Sequence, residues 1–177
     1  MKKHKKTIIF IGIIIVVIGV SAGVAIFLSN MRNKADTSDD VTGISRLPSE
    51  EKADAADKVA LENDVATGVK EFDKAIEGTS DSHEKFVLYS RKATLLFNNS
   101  DFDGALTAAT AAYNLEKTSD SAAFVGQIAH TKGDKVVALE YYKKAKELID
   151  ATDPFAKQDG DYYDSIIAEL ETGKVSE

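Results

Sequence analysis

Three histidines and no cysteine narrow the chemistry open to this chain of 177 residues. Without thiols there is no disulfide framework, no Cys-ligated zinc or iron–sulfur centre, no thiol nucleophile and no lipidated N-terminal cysteine. His4 precedes a long apolar run, which leaves His83 and His130 to the rest of the chain. His83 follows the polar stretch Thr79-Ser80-Asp81-Ser82, where an exposed imidazole is expected. His130 falls near the end of a predicted helix, where a partly charged ring favours the carbonyl end of the dipole, so capping is its expected role. No HExxH, GxSxG or phosphate-binding glycine-rich loop occurs. Asp101-Phe102-Asp103-Gly104 and Asp159-Gly160-Asp161 gather the oxygens that a hard cation needs. Neither has the alternating acids and distal Glu of an EF-hand loop, and both fall at predicted helix starts, where Asp is an ordinary cap. The chain is therefore expected to hold no catalytic residue, no cofactor and no metal, and not to be an enzyme.

Charge narrows the partners. The formal net charge is −7, but Lys2, Lys3, Lys5 and Lys6 give the first 28 residues +4 with no acid among them, so the other 149 carry −11. Phosphate binding requires a basic face, so nucleic acid is disfavoured. Anionic lipid surfaces would repel such a body for the same reason.

Between the basic head and the acidic body lies a membrane-length segment. From Ile8 to Leu28 only Ser21 is neither apolar nor glycine. Its 21 residues would make a helix about 31 Å long, matching the roughly 30 Å hydrocarbon core of a bilayer. The positive-inside rule puts residues 1–7 in the cytoplasm as a basic tail and the body on the far side, as a single-pass protein. Val20-Ser21-Ala22 offers a signal-cleavage alternative, but the apolar run continues six residues past Ala22, which favours a retained anchor. Gly19 and Gly23 form a GxxxG pair through which two such helices could pack as a homodimer.

Residues 29–48, rich in Ser, Asn, Asp and Thr without apolar periodicity, form a flexible linker. From residue 49 to 172 the spacing is helical throughout, with no alternating run long enough for a strand, so the body is all-α; 173–177 is a tail. Ser49 is expected to cap the first helix, Gly78 to end the next, Asp81 with Glu84 to open another, and Ser100 with Asp103 the one after it. Ser119, Asp134 and the stretch after Pro154 and Gly160 mark the remaining starts. At Asn63-Asp64 neither Gly nor Pro intervenes, so 49–77 is open to one helix or two.

Ala105, Ala112 and Leu115 recur 33 residues later as Ala138, Ala145 and Leu148. A period of that size signals stacked helical hairpins. The stretches SDFDGALTAATAAYNLE and GDKVVALEYYKKAKELI resemble the second helix of the tetratricopeptide repeat family. Tyr89, Lys92, Ala93 and Leu96, then Ala122, Val125, Gly126 and Ala129, resemble its first helix. Ala55, Ala56 and Val59 with Gly68, Phe72 and Ala75 look like a degenerate opening unit, and Tyr163, Ile166, Ile167 and Leu170 like a closing helix. The family's closing Pro is absent, and Lys92 stands where an apolar residue is usual. The resemblance implies an α-solenoid of about three hairpins plus a closing helix.

By that family's geometry the first helices line a groove, which would present Ser90, Thr94 and Phe97, then Ala123, Gln127 and His130. The resemblance implies binding of proteins or peptides, basic ones given the acidic field. The expectation is a membrane-anchored, extracytoplasmic interaction module, an adaptor or accessory subunit of an envelope or export complex. The alternatives are a self-assembling envelope protein or a secreted repeat protein.

Overall fold

The computed structural model describes residues 47–173. The predicted segment 8–28 with Gly19 and Gly23, the basic tail, nearly all of the linker and the last four residues lie outside the described residues. Among the described residues no helix is long and apolar enough to cross a membrane. They form seven helices and no strand: α1 Pro48–Glu62, α2 Val65–Glu77, α3 Ser82–Asn98, α4 Phe102–Leu115, α5 Ser119–Lys132, α6 Lys135–Glu147 and α7 Ala156–Thr172.

One capping device recurs. Asp64, Asp101 and Asp134 each precede the second helix of a hairpin, and each carboxylate accepts the backbone N–H three residues on, from Thr67, Gly104 and Val137. Their spacings, 37 and 33 residues, are those of the apolar repeat. Asp64 settles the question left open at 49–77. It accepts from both the backbone N–H and the hydroxyl of Thr67, each at 2.8 Å, and Thr67, through its hydroxyl first, holds the carboxyl below the usual range. That local bonding draws the backbone out of the helix where no Gly or Pro does so.

Three sequence expectations shift. Leu47, not Ser49, is the N-cap residue of α1; Pro48 follows it, where the missing N–H costs nothing, and Ser49 is buried with its Oγ unbonded. Ser100 does not cap α4. It occupies the left-handed region at φ 63°, letting Asp101 N–H return to the Leu96 carbonyl at 3.0 Å and Asp101 take the cap. Gly133, at φ 88°, does the same 33 residues later, with Asp134 N–H bonded to the Ala129 carbonyl at 2.9 Å. Gly160 lies within α7 and does not precede it.

Each helix packs on its neighbours in sequence, and α1 also packs on α3, giving a solenoid-like stack of three hairpins and a closing helix. Small residues sit where helices cross: Ala56, Ala93, Ala105, Ala112, Ala122, Ala138 and Ala145 are all buried. Gly68 and Gly126 hold the same kind of position. A Cβ on Gly68 would lie 2.4 Å from the Ala60 Cβ, and one on Gly126 would meet the Tyr142 ring at 3.2 Å. Bulk comes from Phe72, Ile76 and Leu88, which pack with Ala53 and Ala56 where α1, α2 and α3 meet. Lys92, the departure from the apolar pattern, is largely buried, and its ammonium pairs with Asp73 of α2. At the far end Tyr163 is buried against Tyr142, with ring centroids 6.2 Å apart. Lys146–Asp164 and Lys143–Glu171 pairs fasten α7 to α6.

Candidate functional site

Most of the polar residues that first suggested chemistry are engaged in caps, ion pairs or ring contacts within the stack, and His130, expected to cap a helix end, meets a ring instead. His83 Nδ1 lies 2.5 Å from the Glu116 carboxylate, tying the start of α3 to the end of α4, and its ring stacks on Phe86. The His130 ring stands at 90° to Tyr142 with centroids 6.4 Å apart. Asp101 caps α4, Asp103 pairs with Lys132, and Asp161 pairs with Lys157. Among the described residues no three His, Asp or Glu side chains are placed to hold one cation.

What remains is the surface of the alternate helices α1, α3, α5 and α7. Ser90 and Thr94 are half-buried on α3, the Thr94 hydroxyl donating to the Ser90 carbonyl at 3.0 Å. Ala123, Gln127 and His130 are half-buried on α5. Phe97 is only 8% exposed, with its ring edge-on to Phe102 at 5.7 Å and Phe124 at 6.4 Å, so it bridges α3, α4 and α5 inside the stack. The accessible part of the expected groove is thus Ser90 and Thr94 on α3 with Ala123, Gln127 and His130 on α5.

Two features of these helices were not singled out from sequence. On α3, Arg91 reaches across to α1, where Nη2 meets Asp54 at 2.9 Å and Nε meets Asp57 at 3.1 Å. Burial works against the guanidinium charge, and the pull of Asp57 and then Asp54 outweighs it, leaving Arg91 above its usual range. The 37-residue register, which aligns Asp54 with Arg91 one repeat on, was the available signal. Because the guanidinium is 42% exposed, solvent screening limits the pair. Arg91→Ala is expected to lower stability by about 1 kcal/mol. Arg91→Lys should recover only part of that, since an ammonium cannot fork between two carboxylates. Urea titration of the three proteins checks both statements.

The second feature is on α7 and its N-cap. Phe155, Asp159, Tyr162, Ile166 and Glu169 recur at helical spacing and share one stripe. Phe155 is 63% exposed and Tyr162 56%. Tyr162 lies against Tyr163, centroids 5.6 Å apart, and burial pushes the Tyr162, Tyr163 and Tyr142 phenols up. The Asp159 carboxyl is pushed up by burial and then by the charges of Asp120 at the start of α5 and Asp153 in the α6–α7 loop. The Ser119 hydroxyl, 3.4 Å from the Tyr163 hydroxyl, places the start of α5 beside this part of α7.

Two surface depressions also lie on the stack. One, of about 310 Å³, lies on the first hairpin among Ala55, Val59 and Ala75 with Lys52 and Lys74 at its margin. The other, of about 340 Å³, is bounded by Val69, Tyr89, Leu96, Ala108 and Lys92. Both are shallow and apolar and lack a convergent set of polar groups of the kind that orients a small substrate. Comparison of the chain with protein-family models and with curated proteins found no match.

Proposed function

We propose that residues 49–172 are a tetratricopeptide-like repeat domain that binds polypeptide, held outside the cytoplasmic membrane by the 8–28 segment and acting as an adaptor or accessory subunit of an envelope assembly rather than as an enzyme. The observation that carries the reading is the division of labour among the helices. Alanine and glycine at the crossings, with most of the aromatic bulk, are consumed by the stack, while the alternate-helix face keeps polar, acidic and aromatic groups that are half-buried or exposed. Residues 47–173 carry 14 Lys or Arg against 25 Asp or Glu, so the field around that face favours a basic partner. The topology rests on Lys2, Lys3, Lys5 and Lys6 ahead of an apolar run of membrane length.

The test is affinity capture from detergent extracts using the full chain and a form lacking residues 49–172. Proteins retained only by the full chain are expected. Identical partner sets would overturn the reading, whereas crosslinking of intact membranes to a ladder of this chain alone would favour self-assembly.

A further inference from the structure

The stripe on α7 runs along the open edge of the helix's packed face and has an unusual composition. In order it holds Phe155, Asp159, Tyr162, Ile166 and Glu169, without a single Lys or Arg. The adjoining face of α7 packs on α6 through Tyr163, and Asp164 pairs with Lys146. Along the stripe Phe155 and Tyr162 are, among the described residues, the two large rings most open to solvent, while Asp159, Ile166 and Glu169 are half-buried. Among the described residues Asp159, Glu169 and, across the way on α5, Asp120 form no ion pair, while the Asp153 carboxylate accepts the backbone N–H of Phe155. The result is aromatic surface bordered by carboxylates that no basic side chain among the described residues pairs with.

We propose that this face docks a short, extended polypeptide segment rich in lysine or arginine, with a cationic side chain over the free face of Tyr162 and its neighbours directed at Asp120, Asp153 and Asp159. The inference rests on the interaction-module reading and gives it a place and a partner chemistry. Three arguments select this occupant. A tyrosine ring with an open face attracts a cation through its quadrupole. The aliphatic stems of Lys and Arg cover apolar surface such as Phe155 and Ile166 while their heads stay polar. An incoming cation also offsets the repulsion from Asp120 and Asp153 that adds to burial in pushing the Asp159 carboxyl up, an offset that neither an acidic segment nor a second copy of this acidic face supplies.

The experiment uses the full chain in neutral detergent and a fluorescein-labelled peptide of alternating lysine and alanine, read by anisotropy, with serine replacing lysine in the control peptide. The lysine peptide should bind and the serine peptide should not. Tyr162→Ala should weaken binding by about twofold to fivefold, while Tyr162→Phe, which keeps the ring, should bind like the unmodified chain. Asp159→Asn should weaken it too, by an amount that shrinks as ionic strength rises toward about 0.15 M. Tyr162 is exposed, so unchanged circular dichroism is expected for each variant.

Equal binding by all variants would overturn this site, and the interaction-module reading would survive if partner capture still depended on residues 49–172. Absence of lysine-peptide binding to the unmodified chain would also overturn it. Self-association that disappears in Tyr162→Ala would assign the face to a second copy instead, and overturn the proposal as well.

Discussion

Replacing Phe72 with alanine should cost the stack about 3–5 kcal/mol, one of the two largest effects of a single substitution here. The ring is completely buried where α1, α2 and α3 converge, surrounded by Ala53, Ala56, Ile76 and Leu88. Two of those four neighbours are alanines, which have no longer rotamer with which to fill the space. The helices would have to close together to remove the void, but Gly68 and Ala60 already hold α1 and α2 at contact distance. The cavity therefore persists, and its cost adds to the lost transfer energy. Domains of this size are stable by only about 5–15 kcal/mol, so the loss takes a large share of the total. Urea titration should show a lower midpoint with little change in slope. Because hairpins in such a stack contact only their neighbours, amide exchange should accelerate first in α1 and α2 and last in α5 and α6. A loss below about 1 kcal/mol would mean that the three helices are not packed as described.

The helical stack was legible in the sequence because two independent signals agreed. The 33-residue recurrence of Ala105, Ala112 and Leu115 placed α4 and α6 in register, and Asp134 is found at the helix start where it was expected. The errors at helix starts share a cause. Ser49 and Ser100 are good cap types, yet each adjoins a residue better placed: Pro48 opens α1 two residues before a Ser49 cap would, and Asp101 offers a carboxylate where Ser100 offers a hydroxyl. Gly160 reads as a helix breaker in isolation, but Asp153 and the following turns begin α7 upstream of it and Gly160 is carried along.

The candidate surface was legible only in part. Ser90, Thr94, Ala123, Gln127 and His130 fall on the helices that the repeat pattern assigns to it. Phe97 is drawn inward because Phe102 and Phe124 on neighbouring helices offer it an aromatic contact that spacing along one helix does not reveal. The Arg91 bridge and the α7 stripe depend on which helices lie side by side, knowledge that only the packed stack provides.

Gly68→Ala provides the sharpest test of that packing, because the local and tertiary terms have opposite signs. In an isolated helix, Gly to Ala gains about 1 kcal/mol. Here the new Cβ would stand 2.4 Å from the Ala60 Cβ and 3.0 Å from the Ala56 carbonyl oxygen. One of those atoms is backbone, which no rotamer change can move aside. α1 and α2 must separate, and separation loosens the contacts around Phe72 that the same crossing organises. Overpacking of this kind costs about 1–3 kcal/mol or more, so the tertiary term should outweigh propensity and the variant should be less stable than the parent. Gly133→Ala is the internal comparison. Nothing lies within 4 Å of its Cβ position, but its φ of 88° is left-handed, so its loss comes from backbone strain of about 1–2 kcal/mol with no repacking. The two mechanisms separate in a double variant. Ala60→Gly removes the atom nearest the new methyl and should restore part of the stability lost in Gly68→Ala, while leaving that lost in Gly133→Ala unrecovered. A Gly68→Ala protein more stable than the parent would show that α1 and α2 do not meet at this glycine.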